Sequence, residues 1–71
     1  MKIKKGTRII VSDIRKGVYH AIAGDDFDTE KDEFYPVIAA QTVHGLVNDW
    51  FAGDHVPCRN SLAKIEILKG E

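Results

Sequence analysis

The 71 residues of the chain can build one hydrophobic core but not two, so a single domain spanning residues 1–71 is expected. A hydrophobic fraction of 44% and a charged fraction of 30% belong to a folded globular domain and exclude a disordered one. The lone Cys58 excludes an internal disulfide, and no stretch approaches the roughly 18 apolar residues of a membrane span.

These features point to a soluble, cytoplasmic protein with no membrane partner, and the opening "MKIKKGTR" lacks the apolar stretch a signal peptide needs. So small a domain buries little surface, which makes a homodimer a natural way of adding core. The net charge of −1 conceals a division along the chain. Residues 1–24 carry six Lys or Arg against Asp13, residues 25–54 carry eight Asp or Glu against Lys31, and residues 55–71 are nearly balanced. Such asymmetry suggests two faces with different partners, unless the solvated side chains simply alternate on the folded surface.

In chain order, "TRIIVSDI" is rich in β-branched residues and predicts a strand over 7–14. "RKG" at 15–17 predicts a turn, with Gly17 free to take positive φ, and "VYHAIA" predicts the returning strand of an antiparallel hairpin. In that strand Val18, His20 and Ile22 share one face, and Tyr19, Ala21 and Ala23 the other. "GDDFDTEKDE" reads as a surface loop whose crowded carboxylates resist packing. "FYPVIAAQTV" resumes as a strand that starts after Pro36, which has no amide proton to donate.

Val43, Leu46, Val47, Trp50 and Phe51 then fall at i, i+3, i+4, i+7 and i+8, the face of an amphipathic helix capped by Thr42 and ended by Gly53. Against a helix near 42–52 stand Gly45 and the Asn48–Asp49 pair, which favour a hairpin bent at "HG" or "ND". Asn60 and Ser61 precede a last strand in "LAKIEIL". Five or six short strands with turn signals every ten residues or so predict a mainly β fold, a small antiparallel barrel; the alternative is an α+β domain with the helix at 42–52.

Fragments of the chain resemble Src-homology 3-like barrels. "KKGTRIIV" resembles the family's "KKGD" strand, "DWFA" the strand bearing its peptide-contacting Trp, and "VPCRNSLAKIEIL" its closing Pro, short turn and last strand. The acidic "DDFDTEKDEF" resembles the family's acidic loop, but here it follows the basic strand instead of preceding it. Leu62 stands where a contacting Tyr is expected and no "ALYDY" occurs, so the resemblance implies a small barrel and does not extend to reading proline-rich peptides. The basic, glycine-containing first strand is also similar to that of KOW-type barrels associated with nucleic acid, which is a likeness of fold alone.

Candidate chemistry is thin. "HVPC" spaces His55 and Cys58 as a metal pair, but His20 and His44 are singletons, whereas structural zinc sites draw close ligand pairs from two turns. Asp26, Asp28, Glu30 and Asp32 alternate like the start of a calcium loop, yet Lys31 and Val37 occupy the positions that need Gly and Glu. No nucleophile elbow or phosphate-cradling glycine loop is present, and "HVPC" is the only Cys–His pair. No catalytic residue, metal site or cofactor is therefore expected, and the protein reads as non-enzymatic.

The function that remains is an interaction module binding a protein partner through aromatics Phe27, Tyr35, Trp50 and Phe51, with Asp25, Asp26 and Asp28 as an electrostatic rim. Trp50 also has a core reading, in which "DWFAGDHVPCRN" at 49–60 is an architectural corner. The alternative function is nucleic-acid binding through Lys2, Lys4, Lys5, Arg8, Arg15 and Lys16 with Tyr19 as a stacking platform. A pI near 6.3 weighs against it, because such affinity comes from released counterions. A chain this short also suits an accessory product of a compact genome such as a phage or other mobile element. Because no metal is expected, chelator treatment should leave thermal unfolding unchanged; a large drop in melting temperature would make His55 and Cys58 ligands after all.

Overall fold

A computed structural model describes residues 1–68, and every regular element in them is a strand. In chain order these are β1 (Lys2–Ile3), β2 (Arg8–Asp13), β3 (Gly17–Ala23), β4 (Phe27–Asp28), β5 (Val37–Ala39), β6 (Val43–His44), β7 (Asp49–Trp50), β8 (His55–Val56) and β9 (Ala63–Ile67). Five of them form one antiparallel sheet in the order β8-β5-β3-β2-β9, while β1 pairs with β4 and β6 with β7 as two-stranded ribbons. The expected mainly β class is present. The closed barrel is not: β8 and β9 end the sheet, and among the described residues no hydrogen bonds join them.

The period-2 alternation of each strand decides its inner face. Ile9 and Val11 of β2, Tyr19, Ala21 and Ala23 of β3, Val37 and Ala39 of β5, Val56 of β8 and Ala63 of β9 are buried together with Ile3, Phe27, Tyr35, Val43 and Cys58. Val18 and His20 face solvent, so the Tyr19 face of the second hairpin strand is the one that enters the core. Four core positions are alanine, and the rings of Tyr19, Phe27 and Tyr35 supply the volume those alanines lack; Phe27 and Tyr35 stack with centroids 4.8 Å apart.

The helix considered near 42–52 does not form. Val43 pairs with Trp50 and His44 with Asp49 around a turn in which the Gly45 amide donates to the Asn48 carbonyl at 2.9 Å. The spacing i, i+7 that places Val43 and Trp50 on one helix face is also the spacing of cross-strand partners around a short turn, so periodicity alone could not separate the two. Gly45 separates them. A Cβ there would lie 2.8 Å from both the Asn48 carbonyl oxygen and the Trp50 ring, so only glycine lets the indole lie across the ribbon.

The acidic segment is also more ordered than a repelling loop. β4 lies inside it, Phe27 is core, and its carboxylates accept backbone amides: Asp26 from Lys5 at 2.8 Å, Asp32 from Asp28 at 2.7 Å and Asp28 from Glu30 at 2.9 Å. The carboxylates avoid one another by turning inward to N–H groups.

One charge sits inside the fold. Asp13, at the end of β2, has a side chain only 1% exposed. Its Oδ1 accepts the amides of Arg15 at 2.7 Å and Lys16 at 3.1 Å, and its Oδ2 lies 3.3 Å from Lys16 Nζ. These bonds tie the β2–β3 turn, which Gly17 completes at φ +81°. Breaking a buried pair by removing one partner costs about 3–5 kcal/mol, as much as the whole stability of a domain this size. Asp13→Ala should therefore abolish the cooperative unfolding transition followed by circular dichroism. Lys16→Met should only lower its midpoint, since the carboxylate keeps two amide donors.

Candidate functional site

The β6–β7 ribbon leaves the sheet between β5 and β8 and lies against the β2–β3 turn. A crevice of about 190 Å³ opens between them, lined by Arg15, Lys16, Leu46, Val47, Trp50 and Pro57. Trp50 is half-buried against the core, and Lys16 Nζ sits 5.4 Å from its ring centroid, within cation–π range. The Asp13 carboxylate fixes the ammonium, the ammonium underlies the indole, and the indole lies across Gly45.

At the tip of this ribbon Leu46 is 80% and Val47 90% exposed, and Phe51 just after it is 61% exposed. The helix alternative at 42–52 would place all three on one apolar face, whereas the hairpin alternative and the partner reading of Phe51 leave them outside. The available signal was their context, "HGLVND", an apolar pair enclosed by turn formers on both sides.

The residues anticipated for a partner are dispersed by the fold. Phe27 and Tyr35 are buried and stacked on each other, so neither offers a ring to a partner. Asp25 and Asp26 are exposed near the Ala23 end of β3, where Asp26 holds the Lys5 amide and Gly6 bonds to Ala23. Trp50 lies by Lys16 at the Gly17 end, about 20 Å of strand away. Asp28 is engaged by the amide of Glu30, which is the main reason its carboxyl is held below the usual range, and by the N-terminal ammonium at 3.4 Å. The acidic rim and the exposed aromatics therefore do not make one surface.

The nucleic-acid set is likewise split. Lys2, Lys4, Lys5 and Arg8 are exposed at one end of β2, and Arg15 and Lys16 lie beyond the other, with Lys16 occupied by Asp13. Tyr19 is 2% exposed and cannot stack on a base; its hydroxyl is buried without a hydrogen-bond partner among the described residues.

His55 is exposed on β8 while Cys58 is buried, so "HVPC" points its two side chains apart. Among the described residues no three His, Cys, Asp or Glu side chains gather as metal ligands. Burial pushes the Cys58 thiol up to about 11, with the Asp13 charge adding to the shift, which makes the sulfur inert instead of nucleophilic. The segment 49–60 turns the chain: Phe51 and Asp54 bond reciprocally, the Gly53 amide donates to the Ala39 carbonyl, and the Cys58 carbonyl accepts from Tyr35. It forms the corner as anticipated, except that Trp50 is half-buried and Phe51 is outside. Comparison with known proteins finds no matching family model, no matching curated protein and no matching solved structure.

Burial raises Tyr19 and Tyr35 as well as Cys58, so the fold keeps all three acids protonated beyond their ordinary range. The stabilisation is fully present below the unfolded values, 9.0 for the thiol and 10.0 for the phenols, and is lost as pH climbs. The urea midpoint should fall from pH 9.0 towards about 11 as the thiol ionises in the unfolded chain first, with the phenols steepening the loss above 10.0. Cys58→Ala should remove the part of the decline that begins near 9.0.

Proposed function

We propose that the chain is a non-enzymatic interaction module, a small open barrel of the Src-homology 3-like kind that takes a protein partner at the crevice between the β2–β3 turn and the β6–β7 ribbon. The observation that carries this reading is the exposure of Leu46 and Val47 at 80% and 90% beside the half-buried Trp50. Small domains seldom leave adjacent large apolar side chains in water unless something covers them. A Trp whose ring is pre-set by packing and an Arg at the rim are the residue types that dominate binding energy. Support for the scaffold comes from strand order: β2, β3, β5 and β8 form a meander and β9 returns beside β2 after a turn that follows Pro57.

Lys16 is neutralised by Asp13, whereas Arg15 is exposed, so the crevice suits a partner segment with an apolar side chain and an adjacent carboxylate. This replaces the electrostatic rim of Asp25, Asp26 and Asp28, because that loop lies elsewhere and its carboxylates accept backbone amides. The non-enzymatic reading is supported by the high-lying Cys58 thiol and by the separation of His55 from it.

A photo-crosslinking residue placed at position 48, on the wall of the crevice, should trap one protein from native lysate, and the same residue at position 4 should not. Leu46→Ser with Val47→Ser should reduce capture at least tenfold while leaving the circular dichroism unchanged, since both side chains are already in water. Undiminished capture by the folded double variant, or retention of the protein on RNA with no protein trapped, would overturn the reading.

A further inference from the structure

The sheet ends at β9, and the order of its charges fits a second copy of itself. Hydrogen bonds from the Ile14 amide to the Leu62 carbonyl and from the Leu68 amide to the Arg8 carbonyl set the phase of the β2–β9 ladder. With the register Ser12 to Lys64 and Ile10 to Glu66, the even-numbered residues of β9 direct their N–H and C=O groups to β2. Ile65 and Ile67 therefore direct theirs away from the sheet, where no further strand lies among the described residues. A groove of about 510 Å³ beside this strand is lined by Met1, Ile10, Ile65, Glu66, Ile67 and Leu68, with Ile65 and Ile67 only half-buried.

We infer that the protein forms a two-fold symmetric dimer by antiparallel pairing of β9 with β9 of a second copy, centred on Ile65. This centre sets Ile65 opposite itself as a hydrogen-bonded pair and lets the Ile67 amide of each chain donate to the Ala63 carbonyl of the other. On the solvent face Lys64 of each chain stands opposite Glu66 of the other, in the close non-hydrogen-bonded position, giving two cross-strand ion pairs.

No neighbouring register does as well. Moving the centre to residue 64 or 66 opposes Lys64 to itself or Glu66 to itself. A half-step places the half-buried isoleucines of one chain on the face of the other's charges. The sequence "KIE" is thus self-complementary about one point, and the pairing produces a ten-stranded continuous sheet. The inference does not depend on the proposed function, because no residue of β9 lines the crevice.

Sedimentation equilibrium across micromolar to millimolar protein, with amide exchange of Ile65 as a second readout, tests the inference. The native chain should dimerise, and the Ile65 amide should exchange freely when dilute and become protected when concentrated. Lys64→Glu and Glu66→Lys each convert both ion pairs to repulsion and should raise the dissociation constant at least about tenfold. An equimolar mixture of these two variants, and the double variant K64E/E66K, should restore association, whereas L46S/V47S should leave it unchanged. Both charges are on exposed side chains, so the variants keep the fold. A chain that stays monomeric at millimolar concentration, or a dimer indifferent to charge reversal, would overturn the inference and leave Lys64 as a guard against edge pairing.

Discussion

The Asp13 carboxylate, withdrawn from water and given three donors, is the constraint on which the rest of the molecule depends. A charge at that depth is tolerated only because Arg15 and Lys16 amides and the Lys16 ammonium converge on it. The convergence closes the β2–β3 turn, and β2 and β3 are the central pair from which the sheet is extended on both sides. The same ammonium then serves as the platform for Trp50, so a bond within one hairpin fixes where a second ribbon can rest. Asp13 also bears on Cys58 and Tyr19, whose ionisation it opposes, which links the turn to the chemistry of the core.

From this centre the molecule has two unlike margins. Beyond β5 the chain wanders through the β6–β7 ribbon and returns as a β8 of two residues, too short to template another strand. Beyond β2 lies β9, five residues long and carrying Lys64 and Glu66 on its solvent face, with its outward amides unpaired among the described residues. Leaving the sheet open is what makes both margins usable: the first carries an apolar tip on the β6–β7 ribbon, and the second carries a row of backbone donors and acceptors. A dimer through β9 would present two crevices on one particle, and two weak contacts joined in this way bind as one stronger contact.

Tertiary packing also explains why the conspicuous residues misled. Acidic Asp25, Asp26 and Asp28 look like a recognition rim when read along the chain, yet their oxygens organise a turn and hold Lys5 and Glu30 amides. Phe27 and Tyr35 look like partner contacts beside those acids and are instead the stacked centre of the core. Tyr19 alternates with His20, so strand periodicity marked one of them as exposed; the inward one proved to be the tyrosine, because the alanines that share its face leave room for a ring.

What the sequence determined by itself is what short-range chemistry controls. The β-branched run at 9–11, the turn at Gly17, the late start of β5 after Pro36 and the alternation at 64–67 each specify local backbone, and each appears in place. The β class follows from those local choices. Tertiary structure alone decided whether Val43 and Trp50 were neighbours along a helix or across a ribbon, since seven residues of separation satisfy both. It likewise decided that Leu46 and Val47 remain in water, because exposure depends on what the rest of the chain covers. It decided too that the sheet stays open at β9, because closure depends on whether distant strands meet.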